Sequence, residues 1–120
     1  MSFVDRRKLK FDDRVAIYKA LGNSTRLEIF EQILSNGDKS VHKNGMMCIS
    51  DIASMFTYSM PTISAHIEIL RRAGLLKSFK EGKNIYVDID IDKCKKVSES
   101  FAELIEAYEQ KRESSNLTTK

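Results

Sequence analysis

The sequence predicts a mostly α fold, about five helices with one two-stranded β-hairpin. Three observations carry this expectation. One Pro and five Gly in 120 residues, with 42% hydrophobic and 31% charged residues, suit one helical core and leave too little chain for two ordinary domains. Apolar residues recur at three- and four-residue steps through most of the chain. After Gly74 the period changes to two, the spacing of a strand.

Taken in order, Phe11, Val15 and Tyr18 lie at helical spacing, with Ile17 and Leu21 widening the face, so a first helix spans residues 12–21. Gly22 and Asn23 interrupt it. A second helix starts near residues 23–25, where Thr25 and Glu28 have the spacing of a capping box, and Leu27, Phe30 and Leu34 form its apolar face up to a stop at Gly37. Residues 38–47 show no period and form a loop. Ser50 then caps a short third helix over 51–56, with Ile52 and Met55 inward. Pro61 suits the first turn of the fourth helix, where Ile63, Ile67 and Leu70 make a narrow stripe that ends at Gly74. Ile85, Val87 and Ile89 alternate with Tyr86, Asp88 and Asp90, and residues 75–80 pair with them through the turn 81–84. A last helix over 93–113 aligns Cys94, Val97, Phe101, Leu104, Ile105 and Tyr108. This gives an N-terminal arm over 1–11, a single domain over 12–113 and a flexible tail over 114–120.

Two consecutive short helices followed by a hairpin with a basic tip describe a winged helix-turn-helix. The net charge of +3 is mild, but its distribution is not. Arg71, Arg72, Lys77, Lys80 and Lys83 stand against the one acid Glu81 between positions 71 and 84, while Glu99, Glu103, Glu106, Glu109 and Glu113 make the last helix acidic. Double-stranded DNA is the partner this predicts, with the helix after the turn in the major groove and the wing on phosphates. The outer face of that helix is small and polar near its start, so Ser64 offers a hydroxyl and Ala65 a methyl to base edges. Part of the stripe Val97, Phe101, Leu104, Tyr108, with Val15 and Tyr18, is read as the interface of a homodimer, because a domain this small cannot cover its terminal helices alone.

The segments ALGNSTRLEIF, MCISDIASMF, SMPTISAHIEILRRAGLL and EGKNIYVDI, in that order, resemble the ArsR/SmtB family of bacterial winged-helix repressors over about residues 13–108. The resemblance implies a homodimer joined by its first and last helices, a two-fold symmetric operator, and repression relieved by a metal ion, metalloid or other inducer. It places the start of the recognition helix at Ser59, Met60, Pro61, Thr62, Ser64, Ala65 and His66, and the wing at residues 80–84, including Asn84. The chain departs from the family pattern in four places. Cys48-Ile49-Ser50 keeps only the first thiol of a Cys-x-Cys, no His follows His66, Ala65 replaces a frequent Arg, and residues 39–44 look like an insertion.

No cofactor is predicted. Cys48 and Cys94 are the weak candidates for a metal or metalloid inducer, since Zn²⁺ needs three or four ligands and two thiols supply half a set. Alternatively, Cys48 and Cys94 are a structural or redox-active pair. His42 falls in the loop, and His66 suits a structural hydrogen bond or a phosphate. No apolar run suggests secretion or a membrane span, so a cytoplasmic protein with reduced thiols is expected. No phosphate loop or Ser/His/Asp set argues for an enzyme. The competing function is a winged-helix module that binds an acidic protein rather than DNA.

Overall fold

Ile63, Ile67 and Leu70 sit at i, i+4 and i+7, and the computed structural model, which describes residues 8–36 and 46–119, buries all three. The elements run α1 (Phe11–Leu21), α2 (Ser24–Asn36), β1 (Met47–Cys48), α3 (Ile49–Ala53), α4 (Met60–Arg72), β2 (Leu76–Glu81), β3 (Asn84–Ile89) and α5 (Ile91–Thr119). Helices α1 to α4 pack around the α4 stripe, with Ile17 and Ala20, Ile29, Phe30 and Ile33, and Ile49 and Ile52 as their contributions. Met47, Leu75, Leu76 and Val87 close the core from the sheet side.

The helix-turn-helix is α3 and α4, and the wing is β2 and β3. Their register runs from Leu76 opposite Ile89 to Glu81 opposite Asn84, leaving a two-residue tip, Gly82-Lys83. Gly82 has φ +61°, which an L side chain rarely adopts. At the other end, α4 stops as its spacing predicts. Gly74 has φ +88°, its N–H donates to Arg71 O at 3.0 Å, and the Leu75 N–H donates to Leu70 O at 3.1 Å. This is a Schellman motif, closed by Leu70 and Leu75, both buried.

Several expected details differ. The wing is part of a three-stranded sheet ordered β1-β3-β2, because Met47 and Cys48 pair with Val87 and Tyr86. That pairing delivers the chain straight into α3, so the helix begins at Ile49 rather than Asp51, and Ser50 is not its cap. Met55 is exposed, and Ile49 takes the inward place beside Ile52. The α2 cap is Asn23, whose Oδ1 accepts from the Arg26 N–H at 3.0 Å, not Thr25. Helix α2 also turns a different face inward. Ile29, Phe30 and Ile33 form the buried stripe with Arg26 half-buried beside them, while Leu27 and Leu34 are exposed. The expected stop at Gly37, the loop with His42 and the insertion at 39–44 lie outside the described residues, as do residues 1–7 of the arm.

Helix α5 does not stop at Glu113 but continues to Thr119, since no Gly or Pro interrupts residues 114–119. None of its described side chains is buried in the core; Cys94 and Val97 pack against the core only in part. Phe101, Leu104 and Tyr108 are 58%, 57% and 58% exposed. The molecule is correspondingly elongated, with a radius of gyration of 18.1 Å against about 13–14 Å for a compact chain of this length.

The α4 stripe predicts its own measurement. Leu70→Ala removes a fully buried side chain that also closes the helix stop, so unfolding in urea at fixed protein concentration should show a loss of about 2–5 kcal/mol.

Candidate nucleic-acid interface

Because the inner face of α4 is fixed by the core, its outer face is fixed too. Met60, Pro61, Thr62, Ala65 and Arg72 are exposed on it, and Ser64 and His66 are half-buried at its flanks. The start of the helix is held by a hydroxyl cap. Ser59 Oγ accepts from the Thr62 N–H at 3.4 Å and lies 2.9 Å from Thr62 Oγ1, and Pro61 occupies the first turn, where its missing N–H costs nothing. Two of the expected reading hydroxyls therefore already serve the cap.

The wing tip stands beside this helix start. Met60 and Ser64 of α4 line one side of an open cleft of about 170 Å³, and Lys83, Asn84 and Ile85 line the other, with Cys48 and Ser50 at its back. Strand register sorts the lysines. Lys80 lies opposite Ile85 and shares the face that looks to α4, whereas Lys77 lies opposite Asp88 on the reverse face. Lys83 and Asn84 are thus brought together with Ser64 at the cleft, Lys80 shares the α4-facing side of the wing without lining it, and Lys77 lies on the reverse side.

The arginines at the end of α4 behave differently from what their charge suggests. Arg71 grips Glu68 with two nitrogens, at 2.5 and 2.9 Å, and Arg72 Nε reaches the same carboxylate at 3.3 Å. The Arg71 hydrogen bond, followed by the two guanidinium charges, holds the Glu68 carboxyl down to about 2. Glu68 is therefore ionised at any working pH and offsets one of the two cations. Counting charges between 71 and 84 misses it, although its i, i+3 and i, i+4 spacing to Arg71 and Arg72 is visible in the sequence.

His66 faces inward, toward Arg26. Arg26 Nη1 lies 3.4 Å from His66 Nδ1, while Arg26 Nε donates to Ala20 O at 2.7 Å and Nη2 to Lys19 O at 3.4 Å. Burial, and then the Arg26 charge, lower the His66 pKa below its ordinary 6.5. Arg26 was absent from the expected site. Its signal was a cation in the first turn of its own helix, where the macrodipole disfavours it, directly after the end of another helix whose carbonyls favour it.

The thiols do not assemble a metal centre within the described residues. Cys48 is buried with Sγ 3.2 Å from Ser50 Oγ, Cys94 is half-buried, and burial followed by the Asp90 charge pushes the Cys94 thiol up, away from the thiolate a metal needs. No group of three or more His, Cys, Asp and Glu is gathered among the described residues. Among them, too, no helix is long and apolar enough to cross a membrane.

Comparison with known proteins agrees with this geometry. Residues 23–78 match the family profile described as bacterial regulatory protein, arsR family. An HTH-type transcriptional regulator of Methanocaldococcus jannaschii is 36% identical over 96 residues, 79% of this chain and 98% of that protein. A cadmium resistance transcriptional regulatory protein, a CadC homolog of Staphylococcus aureus, is 30% identical over 87 residues, 72% of this chain and 65% of its own length. An ArsR-like transcriptional regulator from Rhodococcus sp. RHA1 shares the fold with a TM-score of 0.75 at 18% identity, over 92% of this chain and 95% of that one. A homodimeric winged helix-turn-helix DNA-binding domain from Mycobacterium bovis does so with a TM-score of 0.56 at 24% identity, over 77% and 80%.

The His66 environment predicts a pH dependence. With its folded pKa below 6.5, the neutral ring contributes its full stability above pH 6.5, and that contribution is lost as pH falls and the unfolded chain takes up the proton first. Thermal unfolding from pH 7.5 to 5.5 should show a falling midpoint, with a shallower fall in His66→Asn.

Proposed function

The chain belongs to the arsR family of helix-turn-helix transcriptional regulators, and from this we propose that it is a cytoplasmic, homodimeric, sequence-specific DNA-binding repressor. The family is one of transcriptional regulators and not of enzymes. The observation that carries the proposal is the convergence of the α4 start and the wing tip on one cleft, lined by Met60 and Ser64 and by Lys83 and Asn84, with Lys80 on the same side of the wing as Ile85. In this reading α4 enters the major groove. Met60, Pro61, Thr62, Ser64 and Ala65 approach base edges, and Lys80, Lys83 and Asn84 hold the flanking backbone. Arg71 and Arg72 contribute less than their number suggests, because they share Glu68. Lys77, on the reverse face, adds to the general field rather than to a fixed contact.

Dimerisation would use the surfaces left uncovered. Val15 and Tyr18 on α1 and Val97, Phe101, Leu104 and Tyr108 on α5 form apolar stripes, and the Mycobacterium bovis domain with this fold is a homodimer. Two α4 helices then present the same face to two half-sites. The Staphylococcus aureus relative is a cadmium resistance regulator, but Cys48 and Cys94 do not fit a thiolate site within one protomer.

Two measurements check this. Leu104→Glu places a carboxylate in the apolar stripe and should convert a dimer into a monomer in sedimentation at micromolar concentration; a monomeric wild type would end the dimer reading. Affinity for selected and random duplexes across a salt series separates gripping from reading. Lys83→Ala should weaken both alike and reduce the salt slope by about 1 per contact, hence by about 2 per dimer. Ser64→Ala should leave the slope and narrow the gap between the duplexes by about 1–3 kcal/mol. Binding to DNA with no preference for any sequence would favour a different partner for the wing.

A further inference from the structure

Apolar packing holds α4 at a fixed depth in the core, but a stripe of three branched aliphatic side chains constrains rotation about the helix axis only through shape. One directional contact adds to it. The Arg26 guanidinium, planar and rigid, is anchored at 2.7 Å by Ala20 O and reaches Lys19 O at 3.4 Å, both in the last turn of α1. With Nε so anchored, the plane of the fork directs Nη1 to His66 Nδ1. The same half-buried side chain therefore touches the end of α1 and the flank of α4. The contact requires Nδ1 to be an acceptor, which means a neutral ring. A lysine at position 26 would offer a point charge with no fork and no fixed second direction.

We propose that Arg26 and His66 are positioning residues that clamp the reading helix to the end of α1, so that the arrangement of the two α1 helices in the dimer sets the separation and angle of the two reading helices. This rests on the assignment of α4 as the reading helix and of α1 to the dimer interface. Loss of the clamp should leave folding, dimer mass and affinity for random DNA in place and loosen only the geometry between half-sites, because half-sites on a duplex must match the protein's own spacing.

The test uses a duplex selected from random sequences by the wild-type protein, and the same duplex with one base pair inserted between the half-sites. Wild type should strongly prefer the original spacing. In Arg26→Gln and in His66→Leu the ratio of the two affinities should shrink by about 2- to 30-fold, with the dimer mass and the random-duplex affinity unchanged. His66→Asn, whose amide oxygen can accept the Arg26 proton in place of Nδ1, should recover most of the ratio. If Arg26→Gln fails to fold because the end of α1 loses its partner, His66→Leu decides, since it leaves both carbonyl contacts intact. Folded variants that keep the wild-type ratio overturn the clamp, including variants that lose only thermal stability. A wild type that selects a sequence but tolerates the insertion also overturns it while leaving the reading helix in place; a wild type that selects no sequence removes the reading helix and the clamp together.

Discussion

The burial of Ile63, Ile67 and Leu70 is the constraint on which the rest of the structure depends. One helix supplies both the centre of the core and the exposed face that meets the cleft, so it cannot be withdrawn from its depth without opening the core. Each of the three side chains contributes roughly 1.5–3 kcal/mol of burial. Helices α1, α2 and α3 and the base of the sheet are arranged around that stripe, and the Schellman stop at Gly74 sends the chain back along the core as β2. The wing therefore starts from a point set by the end of α4, which is why its tip returns to the start of the same helix.

Helix α5 stands outside this arrangement. None of its described side chains is buried in the core, yet it carries Phe101, Leu104, Ile105 and Tyr108 along one side and Glu99, Glu103, Glu106 and Glu109 away from that side. The acidic residues suit a surface turned away from DNA, and the apolar ones suit burial against a second protomer. Lys8 pairs with Glu103 at 3.2 Å, so the start of the described chain is drawn to the same helix. Core and α5 thus divide the work: the first fixes the reading surface within a protomer, and the second carries the surfaces that would join two.

Most of the architecture was legible in the residues, and the reasons for the exceptions are physical. The α4 stripe, the Pro61 start and the Gly74 stop could be read because one period and two backbone-restricted residues all agree. Helix α2 was read on the wrong face because Leu27, Phe30 and Leu34 repeat as well as Ile29, Phe30 and Ile33 do, and only the placement of Arg26 against α1 separates them. Strand β1 has two residues, too few for any period, and its partner lies 40 positions away at Val87. Within the site, Ser64, Lys83 and Asn84 line one cleft and Lys80 lies on the α4-facing side of the wing, whereas Lys77 is turned away by register and Arg71 is engaged by Glu68. The role of Arg26 depends on two helices meeting, which no single segment of the sequence records.

The hairpin register has a consequence for how such a wing can change length. Across β2 and β3 every residue has a fixed opposite number, and the tip is only Gly82-Lys83, so no slack exists to absorb an odd residue. An insertion of one residue in each strand would carry the tip outward by about 3.3 Å and exchange its two faces, sending the Phe79 side toward α4 and the Lys80 side away. Two residues in each strand would restore the faces. The reach of the wing is thus quantised: insertions and deletions that keep a basic face beside the reading helix come in blocks of four residues around the tip, and smaller ones invert its chemistry.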